Sequence, residues 1–312
     1  MKIAFLDAKT VDNVNDPGKF EEFGTFVAYE STRAEEINER IRDADVVITN
    51  KIQISRAAMD QAQNLKLICV AATGMNNIDH EAAREKNITV KNVVDYSTHS
   101  VAQHTFSLIL SLLNNPALHT DYVRSGAYSQ SDIFTYLGAP FWQLKDKKFG
   151  IIGLGNIGKK VAEIAEAFGC EITYYSSSGQ DRHDRYRRLS LNDILTECHV
   201  VSVHAPLNEK TENLITYEGI KMMKKEALLI NTSRGGIVNE ADLARATDDL
   251  LIRGAAVDVF TTEPLAADHP YLQVKQANRL LLTPHIAWTS EESRTLLLDS
   301  ICENIRQFLK DG

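Results

Sequence analysis

Short runs of consecutive Val, Ile and Leu along this chain are separated by stretches in which apolar residues recur every three or four positions. Lys2–Leu6, Thr25–Tyr29, Asp45–Thr49, Leu65–Ala71 and Ile88–Val93 show the first pattern, which predicts buried strands. Arg33–Arg42, with Ile37 and Ile41 on one face, and Asp79–Lys86 show the second, which predicts helices. Strand–helix pairs whose strands are apolar throughout imply a parallel sheet covered on both faces. A long helix is expected from Ser100 to about Leu113, resuming after Pro116 and running to Ser125. Apolar residues on most of its sides predict burial between domains or subunits. Gly126–Phe141 is less regular and reads as a connecting loop.

From Lys148 the alternation becomes clearer, with strands expected at 148–152, 171–175, 199–203, 227–230, 252–257 and 279–282. Helices fill the gaps. Ser190, with Asp193 three residues on, and Asn239 are expected N-caps. Six strands over ~135 residues fit a doubly wound sheet. The last segment, Glu291–Leu309, reads as one amphipathic helix that returns to the first domain. The expected fold is therefore α/β, with two doubly wound, Rossmann-like parallel-sheet domains and a cleft between them. Residues 1–98 plus 287–312 would form a substrate domain and residues 99–286 a dinucleotide-binding domain.

Length and composition agree with this division. A chain of 312 residues favours two domains, and 44% hydrophobic with 24% charged residues is ordinary for a globular protein. A net charge of −8 argues against a general nucleic-acid or anionic-membrane binder. No stretch approaches the ~20 apolar residues of a membrane helix. Met1–Asp7 reads as a strand and not a signal peptide, because Asp7 interrupts the apolar run. Cys69, Cys170, Cys198 and Cys302 form no C-x-x-C pair. They suit packing positions in a reducing cytoplasm, and no metal site is expected.

The chemistry begins at Gly153-Leu154-Gly155-Asn156-Ile157-Gly158, a G-x-G-x-x-G turn with a strand before it and a helix after it. Gly153 permits the tight turn, Gly155 lets backbone approach a pyrophosphate, and Gly158 allows the helix to pack closely on the strand. The helix N-terminus then offers N–H groups to phosphate. Ligands of such sheets bind beyond the carboxyl ends of the strands. Three segments there carry polar residues: Asn231-Thr232-Ser233-Arg234-Gly235-Gly236, Asp258-Val259-Phe260-Thr261-Thr262-Glu263-Pro264 and Thr283-Pro284-His285. Arginine can grip a carboxylate through two bonds, histidine can pass a proton at neutral pH, and a glutamate beside it favours the imidazolium. Singly, each has a plainer reading: a surface pair for Arg234, a turn cap for Asp258, a solvated loop residue for Glu263, a satisfied buried side chain for His285. Their placement after three consecutive strands is what favours a joint role.

With these motifs in view, the sequence resembles the D-isomer-specific 2-hydroxyacid dehydrogenases over nearly its full length. The likeness rests on Gly150–Gly158, His204-Ala205-Pro206-Leu207, Asn231–Gly236, Asp258–Pro264 and Thr283-Pro284-His285-Ile286-Ala287, in that order. The resemblance implies an NAD- or NADP-dependent enzyme reducing a small 2-keto acid to the D-2-hydroxy acid. In it, Arg234 would hold the keto acid, His285 would be the acid/base and Glu263 its partner. Thr232, Ser233 and Asp258 would touch the nicotinamide end, and Asn156, Ile157, Ala205, Pro206 and Thr211 would line the pyrophosphate and adenosine side. Ala72–Asp79 is similar to the family's substrate loop, so Thr73 would serve cofactor and substrate, and the N–H groups of Gly74 and Met75 would bind the substrate carboxylate. The resemblance also suggests a homodimer built through helix 100–125.

Two departures are informative. A strictly NAD-dependent enzyme usually ends its second strand with Asp or Glu. Here that position is Ser176, followed by Ser177, Ser178 and Gly179, then Arg182, His183, Arg185, Arg187 and Arg188. Loss of the carboxylate removes repulsion toward a 2′-phosphate, so NADPH is expected to be accepted alongside NADH. The plainer reading makes these arginines a solvated helix face. Trp288, three residues after His285, resembles the glycerate dehydrogenase/hydroxypyruvate reductase branch and would favour two- or three-carbon acids, in the order hydroxypyruvate, glyoxylate, pyruvate. It could equally pack at the hinge. A nucleotide-sensing corepressor of the same fold is the alternative, disfavoured by the lack of long disordered tails. An L-lactate or malate dehydrogenase would place the glycine turn near the N-terminus, and a formate dehydrogenase would have a longer chain and need no proton relay.

Overall fold

The computed structural model describes residues 1–12, 18–180 and 185–311, so Arg182 and His183 lie outside the described residues. Contacts divide the chain into Met1–Ser97 with Trp288–Gly312, and Thr98–Ala287. The second unit thus begins at Thr98 and ends at Ala287, one residue beyond the expected 99 and 286 at each side. The reason is local: the long helix starts at Thr98, and Ala287 is held by its carbonyl to Ser100 Oγ (2.7 Å) and by its N–H to Asp258 (2.9 Å).

In the first unit, strands β1 (Lys2–Phe5), β2 (Thr25–Ala28), β3 (Val46–Thr49), β4 (Leu67–Val70) and β5 (Thr89–Lys91) form a parallel sheet in the order β2-β1-β3-β4-β5. Helices α1 (Gly18–Glu21), α2 (Ile37–Ile41), α3 (Arg56–Gln61) and α4 (His80–Glu85) lie between them in sequence. The helix expected over 33–42 opens as a 3-10 turn at Ala34–Glu36. Side chains on successive strand residues point to opposite faces. Ile3 and Phe5 accordingly join one core, and Ala4 and Leu6 the other. The first core is closed by the C-terminal helix Glu291–Asp311, whose Leu297, Leu298, Ile301, Cys302 and Ile305 form one apolar stripe. Trp288 is partly buried at the edge of that core, edge-on to Tyr96 at 6.1 Å. Asp7, buried at the end of β1, accepts the N–H groups of Asn50, Lys51 and Ile52 and so fixes the loop after β3. Burial pushes its carboxyl above the usual range, against the pull of those bonds.

The second unit opens with α5 (Thr98–Asn114) and α6 (Pro116–Arg124). Then follow β6 (Lys148–Ile152), α7 (Asn156–Ala167), β7 (Glu171–Tyr175), β8 (Arg187–Arg188), α8 (Leu191–Glu197), β9 (Val200–Val203), α9 (Tyr217–Met222), β10 (Leu228–Asn231), α10 (Glu240–Asp248), β11 (Gly254–Val257) and β12 (Leu280–Leu282). The strands are parallel in the order β12-β11-β10-β9-β6-β7-β8. Ser190 Oγ accepts the Asp193 N–H and Asn239 Oδ1 accepts the Asp242 N–H, the two caps expected from sequence.

Two expectations are corrected here. Arg187 and Arg188 are not a helix face but an edge strand paired with Thr173 and Tyr174, so the sheet has seven strands and not six. A two-residue strand carries no periodicity to read. The apolar sides of α5 are buried within its own unit, where Ala102, Phe106, Ile109 and Leu113 pack with Phe149, Ile151, Val161 and Ala256, so its burial needs no second subunit. Among the described residues, no helix is long and apolar enough to cross a membrane.

Candidate active site

The glycine turn sits where the order of strands changes direction: β6 lies between β9 and β7. Gly153 has φ +93°, and a Cβ there would stand 2.7 Å from the backbone of Ala205, so the turn after β6 is pressed against the segment after β9. A Cβ at Gly158 would lie 2.2 Å from the Gly153 carbonyl oxygen, which seats α7 directly on the turn. Gly155 is different, because a Cβ there would meet nothing within 4 Å. Open space in front of the first N–H groups of a twelve-residue helix is what a pyrophosphate requires, so these residues fit a dinucleotide. Asn156 and Ile157 open that helix. Thr211 is fully buried and donates its hydroxyl to the Pro206 carbonyl at 2.6 Å, fixing the loop that follows Ala205. Ser176, at the end of β7, donates to the Gln180 carbonyl at 2.6 Å, and no carboxylate occupies its place.

The ends of β10, β11 and β12 are neighbours in the sheet, and the segments that carry the polar residues follow them. His285 Nδ1 lies 2.7 and 2.9 Å from the two carboxylate oxygens of Glu263. That bond commits Nδ1 and leaves Nε2 as the working nitrogen of the ring. Thr232, after β10, is buried and bonded to Thr105 of α5 at 3.1 Å, while Ser233 Oγ donates to the Ala205 carbonyl. Arg234 donates to the Ser233 carbonyl at 2.7 Å and forms no ion pair among the described residues, which leaves most of its guanidinium for an incoming anion.

Asp258 has a part the sequence does not show. Its side chain is 0% exposed, and its carboxylate accepts the Thr283 hydroxyl (2.6 Å) and the N–H groups of Ile286 and Ala287 (2.9 Å each). A carboxylate so occupied braces the loop that carries His285. His285 itself has φ +56°, a left-handed conformation costing roughly 1–2 kcal/mol in a residue with a Cβ. The bonds to Asp258 hold it there. His104 of α5 completes this network, with Nε2 3.1 Å from Thr283 Oγ1 and 3.6 Å from Asp258 Oδ1. Sequence reasoning missed His104, whose only signal is an imidazole among the mixed polar and apolar residues that open α5. His204 takes no part in proton transfer. It is bonded to Ser202 at 2.8 Å, and desolvation pushes its pKa down to about 3, so the ring stays neutral. Thr73, Gly74, Met75 and Trp288 belong to the first unit. There the Thr73 hydroxyl donates to the Val93 carbonyl at 3.0 Å and the Thr73 carbonyl accepts from Asn92 at 2.6 Å.

A dinucleotide turn, a histidine backed by glutamate and an arginine without an ion pair among the described residues, all beyond one sheet edge, define a nicotinamide-dependent oxidoreductase. Comparison with known proteins gives the same class. The D-isomer specific 2-hydroxyacid dehydrogenase, NAD binding domain, matches residues 106–287. A glycerate dehydrogenase of Methylorubrum extorquens is 36% identical, covering 99% of this chain and 96% of the relative. A hydroxypyruvate reductase of Blautia hydrogenotrophica is 33% identical, covering 99% of this chain and 97% of the relative. Among solved structures, an acyclic imino acid reductase in complex with NADPH and D-Arg superposes with a TM-score of 0.89 at 28% identity, covering 100% of this chain and 98% of that one. The chain belongs to the D-isomer specific 2-hydroxyacid dehydrogenases.

Proposed function

We propose that this protein reduces a small 2-keto acid to the D-2-hydroxy acid with NADH or NADPH, hydroxypyruvate being the first candidate and glyoxylate and pyruvate the next. The observation that carries the reading is the hydrogen-bonded His285–Glu263 pair, on segments that follow strands neighbouring the one before Arg234, an arginine with no ion pair among the described residues. The names of the two relatives, glycerate dehydrogenase and hydroxypyruvate reductase, support the same substrate class. The corepressor alternative finds no support in them.

Gly153, Gly155, Asn156, Ile157 and Gly158 would hold the pyrophosphate, Ala205, Pro206 and Thr211 the adenosine side, and Thr232 and Ser233 the nicotinamide end. When bound, the nicotinamide supplies a hydride to the carbonyl carbon. Arg234 grips the acid and polarises its keto group, and the backbone N–H groups of Gly74 and Met75 take the carboxylate, with Thr73 shaping that loop. His285 Nε2 donates the proton that turns the developing alkoxide into a hydroxyl, and the neutral ring is reloaded from solvent. Glu263 stabilises the charged imidazole before transfer. Trp288 limits the length of the acid. Ser176 in place of a carboxylate admits the 2′-phosphate, so NADPH serves alongside NADH. The protein acts in the cytoplasm as a homodimer.

Replacement His285→Gln tests the reading. It is expected to leave nucleotide affinity unchanged and to lower kcat by about 10²–10⁴-fold, the usual worth of a general acid. Retention of kcat in this variant would remove His285 from the reaction.

A further inference from the structure

Glu263 lies on an exposed stretch, Thr261–Pro264, yet it must stay within bonding distance of His285. One brace is internal, the Phe260 N–H to Glu263 Oε1 at 3.0 Å. The next comes from outside the loop. Glu240, the first residue of α10, accepts the Thr261 N–H through Oε1 at 2.7 Å and faces His269 Nε2 through Oε2 at 2.8 Å. His269 Nδ1 accepts the Tyr271 N–H at 3.2 Å, so the ring proton sits on Nε2 and is donated to Glu240. Both partners are largely buried, with side-chain exposures of 10% and 15%. Phe260 packs edge-on against His269 at 6.1 Å and against Tyr271 at 6.2 Å.

This second histidine–glutamate pair also joins two catalytic loops. Gly235 follows Arg234, and a Cβ there would stand 2.0 Å from the Phe260 carbonyl carbon and 2.2 Å from the Thr261 nitrogen. The arginine loop therefore lies directly against the Phe260–Thr261 peptide, and Glu240, five residues downstream of Gly235, binds that same peptide. The groups facing His285 are Glu263 and, through the Ile286 and Ala287 N–H groups, Asp258, with His104 behind Thr283. None of these holds the Thr261 backbone in place.

We propose that Glu240, aligned by His269, is a positioning residue that fixes the Phe260–Glu263 loop and thereby keeps the Glu263 carboxylate on His285 and in register with Arg234. The proposal rests on the functional reading above. Neither residue touches the substrate or the nucleotide in this account.

The test uses Glu240→Ala and Glu240→Gln in the intact chain, with three readouts: amide hydrogen exchange over Phe260–Glu263, NADH affinity, and kcat for hydroxypyruvate reduction. Glu240→Ala should speed exchange in that segment, leave NADH affinity unchanged and lower kcat by about 10–100-fold, since small misplacements of catalytic groups have effects of that order. Glu240→Gln keeps an oxygen for Thr261 and should retain most of kcat. Unchanged exchange in Glu240→Ala overturns the proposal, as does a loosened loop with wild-type kcat. A wild-type protein inert toward keto acids would instead strike the functional reading, and the exchange measurement would still decide the Glu240 contact.

Discussion

At the scale of single residues, His285 does two things that need separate support. Its backbone is held at φ +56° by bonds to Asp258, and its ring is oriented by Glu263. Glu263→Gln separates them: the loop keeps an oxygen acceptor, but the imidazolium loses its counter-charge. The proton donor then lacks the charge that orients and stabilises it, so kcat should fall about 10-fold or more while nucleotide affinity stays unchanged. An unchanged kcat would remove Glu263 from the proton step. Arg234, Glu263 and His285 were legible in the sequence because each lies in the segment that follows an apolar strand, on the edge where a parallel sheet binds ligands. His104 was not, because the partners that reveal it, Thr283 and Asp258, lie more than 150 positions away. Asp258 was legible as a site residue but not as a brace, since nothing in the sequence indicates that its carboxylate faces inward to the Ile286 and Ala287 amides.

At the scale of elements, the central strands were readable because they are apolar on both faces, and the ends of β9, β10, β11 and β12 fall within two residues of their expected positions. β8 was not, being a two-residue strand in which no period can show. The segment after β9 supplies a stability prediction. His204 has its pKa depressed to about 3 by desolvation, whereas in the unfolded chain it titrates near 6.5. Between those values the unfolded state binds the extra proton, so the His204 contribution is complete above pH 6.5 and is lost as pH falls toward 3. Each pH unit in that window costs up to about 1.4 kcal/mol. Urea unfolding at about pH 7.5 and about pH 5 should therefore show the wild type losing up to about 2 kcal/mol more than His204→Gln. Equal losses in the two proteins would show that His204 becomes charged within the fold.

At the scale of the molecule, the segment from α6 to Phe141 carries apolar side chains that its own unit does not cover: Phe134 is 90% exposed and Leu137 75%. Arg253 fastens the far end of this arm by donating to the Pro140 carbonyl at 2.8 Å. An ordered arm with bare aromatic and aliphatic side chains suits association with a second copy, which shifts the expected dimer surface from 100–125 toward its C-terminal part and on to residue 141. Sedimentation should give a two-chain mass that Phe134→Asp with Leu137→Asp reduces to one; a one-chain mass in the wild type would refute the dimer. The account depends most on turnover itself. The purified protein should consume NADH and NADPH when given hydroxypyruvate, glyoxylate or pyruvate, with the highest kcat/KM for hydroxypyruvate and the D-2-hydroxy acid as product. No consumption of either nucleotide with any of the three acids, in a protein that binds the nucleotide, would contradict it.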